Sequence, residues 1–211
     1  MRQIKNIEDW NDLLSKKDKS EDDILLIAQV YEDGIKFENS LEIKQEYKKA
    51  FEYYLTGLNF KYCKIRVADY LSEGLGCKKD IEKAIKLYNE LISENNSIAA
   101  FNLSTVYRDL GDYKKVVELL YKVYEIDKAY PIELAFHYLY GLGIPKNLEI
   151  AKNIFLTIKS QVEKYSVYEI EQVNYQLALL SLENNEIKNA RHLLLQNDNE
   201  ISNDLLNIIG K

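Results

Sequence analysis

Residues 70–88 read YLSEGLGCKKDIEKAIKLY, and residues 138–155 read YLYGLGIPKNLEIAKNIF. Laid over one another, the two stretches share a Tyr-Leu pair, a Gly-Leu-Gly turn, a polar Asp80 or Asn147, and a small residue four positions later, Ala84 or Ala151. Apolar side chains follow at helical spacing, Leu87 and Tyr88 after Ala84, Ile154 and Phe155 after Ala151. Each stretch therefore predicts the end of one helix, a stop, and the start of a second. Glycine supplies the stop because larger L-residues resist positive φ. Asp80 and Asn147 supply an oxygen that caps the free N–H groups of the second helix.

The same pattern extends in both directions. The small residue of the second helix recurs as Ala50, Ala84, Val116, Ala151 and Ala190, at intervals of 34, 32, 35 and 39 residues. A first helix precedes each, with its own small residue at Ala28, Ala68, Ser104, Ala135 and Ala178 and a larger or polar one three positions later at Tyr31, Leu71, Tyr107, Tyr138 and Ser181. Stops follow at Gly34, Gly74, Leu110-Gly111, Gly141 and Asn184, and Asp112 is a further cap. Six of the eight glycines fall in these turns, which chance placement would not produce. A period near 35 residues is that of stacked helix pairs. Small residues let paired helices approach closely, and a single pair cannot bury its whole apolar face, so neighbours must stack.

Repeats two and four resemble Sel1-like repeats, whose pattern is a Gly-x-Gly loop, then Asp, then Lys-Ala. Repeat three, FNLSTVYRDLGDYKKVVELLYKVYEID, resembles a tetratricopeptide repeat with its shorter Gly-Asp-Tyr turn. The distance between the two small residues separates the types: 16 in repeats two and four, 12 in three and five. The expected fold is all-α, a right-handed α-solenoid of about five antiparallel helix pairs in one domain over 1–211. A capping helix is expected in 1–20, repeats at 24–60, 64–95, 98–128, 131–165 and 167–196, and a C-terminal cap at 197–211. Ile4, Ile7, Trp10, Leu13 and Leu14 predict a sealing helix over 3–16, and Leu205, Leu206, Ile208 and Ile209 a seal at the other end. Repeat one has 22 residues between its small positions, so FENSLEIKQE is expected to be an inserted loop or a helical extension. The segment 161–172 reads as helical throughout, with Tyr165, Tyr168 and Val173 on one side.

Composition narrows the functional classes. Acids outnumber bases by 34 to 28, a net charge of −6 that argues against nucleic acid or an anionic membrane surface as partner. The N-terminus lacks an apolar run of signal-peptide length, and no apolar stretch approaches the ~18 residues of a membrane span, so a cytoplasmic location is expected. Cys63 and Cys77 lack metal-ligand spacing and read as reduced thiols. The Gly-Leu-Gly loops follow amphipathic helices at repeat spacing, where a phosphate-binding loop needs a preceding strand. His137 and His192 have no companion at metal-ligand spacing, and neither a G-x-S-x-G nor a C-x-x-C occurs. No catalytic, cofactor or metal site is expected.

What remains is a binding surface. The first helices of stacked pairs line the concave face, and offsets of +1, +4 and +5 from their small residues, with some at −3, give the candidate partner-binding residues. These are Gln29, Glu32, Asp33, Asp69, Ser72, Glu73, Arg108, Asp109, Phe136, Tyr140, Tyr175 and Glu183. The N-terminal half of this face reads as acidic and the C-terminal half as aromatic, and the 17 tyrosines exceed what core packing needs. The expected ligand is another protein or peptide with a basic portion and an apolar anchor. The family resemblance implies adaptor and scaffold roles; in bacteria it also implies immunity proteins, and an acidic groove would suit a basic toxin. The alternative is an adaptor, a peptide-sensing regulator or a secretion chaperone that holds an extended segment. The monomer is favoured.

Overall fold

A computed structural model describes residues 4–37 and 42–210. The chain divides into two compact units, one ending at Asn102 and the other beginning at Leu103. Among the described residues the architecture is helical apart from one two-stranded ladder.

In the first unit, α1 (Ile7–Ser15) precedes α2 (Glu21–Asp33), α3 (Tyr47–Thr56), α4 (Lys61–Glu73) and α5 (Ile81–Ser93), and α6 (Ser97–Asp109) begins. Consecutive helices α2 to α5 pack on one another, and short turns make α4 and α5 a helical hairpin. Ala28, Ala50, Ala68 and Ala84 are fully buried where these helices meet, as the close-approach argument requires. The N-terminal seal runs from Ile7, with the Asn6 side chain capping the Asp9 N–H, and buries Trp10 and Leu13.

Where the segment after α2 is described, it is not a helical extension. Residues Ile35–Lys36 (β1) and Glu42–Ile43 (β2) form a short antiparallel ladder, with Ile35 opposite Ile43 and Lys36 opposite Glu42. Residues 38–41 of the expected insertion lie outside the described residues. The reason is the backbone of Gly34. Its φ is +73° but its ψ is 164°, whereas Gly74 and Gly141 have ψ of 29° and 36°. Gly34 thus ends its helix into an extended chain, while the other two close a left-handed cap.

The second unit continues α6 and adds α7 (Tyr113–Asp127), α8 (Ile132–Tyr140), α9 (Leu148–Lys159), α10 (Val167–Glu183), α11 (Ile187–Leu194) and α12 (Glu200–Ile209). Helices α7 to α12 pack each on the next. Ser104, Val116, Ala135, Ala151, Ala178 and Ala190 are all buried. The predicted caps form: Asp80 accepts from the Lys83 N–H at 3.0 Å, Asp112 from Lys115 at 3.2 Å and Asn147 from Ile150 at 3.0 Å.

Three expectations for this unit need correction. Asn184 does not take the left-handed conformation (φ −93°); the last turn of α10 tightens through Asn184 N–H to Ser181 C=O, and Asn185 takes it instead (φ 60°). The segment 161–172 is not helical throughout. After a 3-10 turn at Val162–Lys164 and an extended Tyr165, Ser166 opens α10 with a reciprocal capping box to Glu169. Tyr168 is then 67% exposed while Val173 is fully buried, so the two do not share a side. Finally, α12 does not seal the end by its apolar residues alone. Ile208 is 71% exposed, and the fully buried residue of this helix is Ser202, whose Oγ accepts from Asn197 Nδ2 at 3.0 Å.

The two Gly-Leu-Gly loops do a second job. A Cβ on Gly76 would lie 2.3 Å from the Tyr47 carbonyl carbon, and one on Gly143 would lie 2.2 Å from the Tyr113 carbonyl oxygen. In each unit, the loop of one repeat is pressed against the start of the preceding repeat's second helix, α3 or α7. The first glycine of the loop is required by its φ, the second by this backbone approach as well.

Candidate functional site

Of the four acids in the expected acidic half, Glu32 and Asp69 share one cation. Glu32, at the end of α2, pairs with Arg66 of α4 and accepts a hydrogen bond from the Tyr54 hydroxyl at 2.8 Å. Arg66 also pairs with Asp69 at 2.8 Å, one turn along its own helix. Asp69 in turn accepts from the Tyr88 hydroxyl at 2.5 Å and from Asn102 Nδ2 at 2.9 Å. The guanidinium lies 5.7 and 5.4 Å from the ring centroids of Tyr54 and Tyr70.

These side chains are only 15 to 24% exposed, so their charges act on one another in a medium less polar than water. Desolvation works to lower the Arg66 pKa, but Glu32 and Asp69 outweigh it and the group is held more firmly charged. Burial, followed by the hydrogen bond to Glu32, pushes the Tyr54 hydroxyl up; burial and then the Asp69 charge do so at Tyr88. Both hydroxyls stay protonated donors. The cluster ties α2, α3, α4 and α5 together through side-chain contacts. Of the other candidates in this unit, Ser72 bonds the Asp69 carbonyl at 2.8 Å, Gln29 is half-buried, and Asp33 and Glu73 are exposed.

The aromatic half is a groove. Phe136 of α8, Tyr168, Glu171, Gln172, Tyr175 and Gln176 of α10, and Asn199 and Ile201 at the start of α12 line a space of about 300 Å³. Phe136 is held from behind by an edge-on contact with Phe155, centroids 5.7 Å apart, and stacks with Tyr140 at 6.2 Å. Tyr140 is 61% exposed and Ile201 65% exposed, which leaves apolar surface in water at the groove and beside it. The wall from α12 is positioned by polar contacts. Asn197 accepts from Asn174 at 2.9 Å and donates to the Glu171 carbonyl at 2.8 Å, and the Glu171 carboxylate accepts the Asp198 N–H at 2.6 Å. Arg108, Asp109 and Glu183 are exposed and do not line the groove.

The structure thus brings Phe136 and Tyr175 to one groove and Glu32 and Asp69 to one cluster. Residue-by-residue offsets missed Arg66, although its spacing of three from Asp69 marks an ion pair on a helix. They also missed Tyr168, Glu171, Gln172 and Gln176, which share one face of α10 with Tyr175 at i, i+3, i+4, i+7 and i+8. Ile201 had no local signal, because it reaches the groove from a separate helix. Among the described residues, no group of three or more His, Cys, Asp or Glu side chains is placed to hold a metal ion, and no helix is long and apolar enough to cross a membrane.

Helical hairpins with small residues at their contacts and glycine-closed turns define an all-α solenoid of the helical-repeat class. The Sel1 repeat model matches residues 26–57, 62–96 and 132–156, so the chain carries three Sel1 repeats, and those segments belong to that family. Repeat one is among them despite its hairpin insertion. A Sel1 repeat protein from Oxalobacter formigenes is similar in structure, with a TM-score of 0.64 and 17% identity over 89% of this chain and 77% of that one. A protective antigen present in uropathogenic Escherichia coli strains, displaying an SLR fold, gives a TM-score of 0.57 and 18% identity over 82% of this chain; the match spans 37% of that protein. Such identities establish fold alone. No curated protein matches the chain in sequence. Sel1-repeat proteins in general are non-catalytic scaffolds that mediate protein–protein interaction.

Proposed function

We propose that this chain is a non-catalytic protein-docking module whose principal contact surface is the groove between α8, α10 and the start of α12. The supporting observation is a space of about 300 Å³ lined by Phe136, Tyr168, Tyr175 and Ile201. That size is at the lower end of the ~300–1,000 Å³ typical of ligand pockets, enough for one or two side chains of a partner. Aromatic residues fixed from behind, as Phe136 is by Phe155, make effective anchors because little conformational freedom remains to be lost on binding.

This favours an adaptor that takes hold of an extended segment over an immunity protein that plugs a basic toxin. The toxin reading relied on an acidic concavity, and two of its carboxylates, Glu32 and Asp69, already share Arg66. Affinity purification with mass spectrometry, followed by calorimetry with the purified partner, tests the proposal. Phe136→Ala and Tyr175→Ala should each weaken the complex by at least ~tenfold, the scale of a contact hot spot, while Glu73→Gln leaves it unchanged. A partner that binds the groove variants as tightly as the parent protein would overturn the reading. A stoichiometric complex with a product lethal on its own, insensitive to those variants, would restore the immunity reading.

A further inference from the structure

The charge around this groove, more than its apolar lining, restricts what can occupy it. The segments that build its α10 and α12 walls, residues 165–176 and 198–204, carry Glu169, Glu171, Asp198, Glu200 and Asp204 and not one lysine or arginine. From α8 only Phe136 lines the space; Glu133, one turn before it, is half-buried with Arg108 near enough to act on its charge, so the charge comes from the carboxylates of the other two walls. Lys159 does not offset them within the groove: its ammonium is held by Asn174 and Gln196, neither of which lines the space. An apolar floor bordered by carboxylates is complementary to a side chain that is greasy and a neighbour that is cationic. The polar rim residues Gln172, Gln176 and Asn199 carry both donors and acceptors and suit a peptide backbone laid across them.

Resting on the docking reading above, the geometry points to a specific occupant: an extended peptide segment in which an aromatic or large aliphatic residue is flanked by lysine or arginine. The apolar residue enters between Phe136, Tyr175 and Ile201, and the flanking cations lie toward Glu171 and Glu200. Negative potential concentrated at a low-dielectric wall speeds the encounter and discriminates against acidic segments.

The test uses the 211-residue chain and three capped, fluorescein-labelled octapeptides with Gly-Ser ends, measured by fluorescence anisotropy at low and high salt. The first has Lys-Leu-Trp-Lys at its centre, the second Glu-Leu-Trp-Glu, and the third Lys-Ala-Ala-Lys. The first should bind at least ~tenfold more tightly than either of the others, and its affinity should fall as salt is raised. Glu171→Gln keeps an acceptor for the Asp198 N–H and should weaken the first peptide about threefold while binding the second no less tightly than the parent protein does, since a repulsive charge is removed; Glu200→Gln, on the exposed first turn of α12, should act likewise. Tyr175→Ala should abolish binding, with circular dichroism confirming the fold. Equal binding of the first and second peptides, both lost in Tyr175→Ala, would overturn the charge requirement and leave the docking reading intact. Binding of the first peptide that survives both Tyr175→Ala and Phe136→Ala would overturn the groove itself as the docking site. Failure of all three peptides to bind would overturn the proposed occupant.

Discussion

Alanine at two glycines of the second unit separates backbone conformation from inter-repeat contact. Gly111 (φ +76°) and Gly143 (φ +73°) have nearly the same strained backbone, but a Cβ at Gly111 meets nothing within 4 Å, while one at Gly143 lands 2.2 Å from the Tyr113 oxygen and 2.8 Å from the Lys114 nitrogen. A left-handed alanine costs roughly 1–2 kcal/mol, and the stiffer unfolded chain returns about 0.4–1 kcal/mol. Gly111→Ala should therefore lose about 1 kcal/mol. Gly143→Ala carries the same terms and adds a collision with backbone atoms, which no rotamer change relieves, at roughly 1–3 kcal/mol. Urea unfolding followed by circular dichroism measures both. With a difference near 2 kcal/mol, Gly143→Ala should also melt roughly 4–8 °C below Gly111→Ala for a chain of this size. Equal losses in the two variants would refute the idea that the Gly-Leu-Gly loop is seated on the start of α7.

Arg66→Ala leaves Glu32 and Asp69 without their shared cation; because the three side chains retain some exposure, the expected loss in urea unfolding is about 2–4 kcal/mol, and a loss below about 0.5 kcal/mol would reduce the cluster to an ordinary surface pairing. Asp23 is held down to about 2 by the Lys16 ammonium and by the Ser20 backbone N–H and hydroxyl. Since its unfolded value is about 3.9, its contribution is full above that pH and disappears as pH falls through the range from about 4 to 2; Asp23→Asn should flatten the stability profile there, and an unchanged acid limb would refute this. The thiol of buried Cys63 is pushed up to about 11 by burial and then by Glu21, and half-exposed Cys77 is raised by burial. Ellman's reagent at pH 8 should therefore titrate Cys77 first and Cys63 only as the chain opens, while simultaneous reaction of both would contradict the burial of Cys63.

What a sequence displays depends on whether a requirement is local. The small residue at Ala84 or Ala151 and the caps at Asp80, Asp112 and Asn147 answer demands made within a few residues, so they recur with the period and can be counted. The opening of α10 was equally local: Ser166 and Glu169 spell a capping box, and giving it weight over apolar spacing would have broken the helix at the right place. The ψ of Gly34 has no such signature, and a glycine that starts a hairpin looks the same as one that closes a cap. Charge is the least local property of all. Glu32 reads as a free acid until Arg66, 34 residues later, is folded against it, whereas Glu171 remains beside an apolar groove whose α10 and α12 walls carry no lysine or arginine. The same residue type therefore plays different parts in the two units: Glu32 ties α2 to α4 through Arg66, whereas Glu171 accepts only the Asp198 N–H and has no cation beside it on the α10 and α12 walls. Counting acids along first helices cannot distinguish these cases, because the distinction lies in which cations the repeat spacing brings into contact.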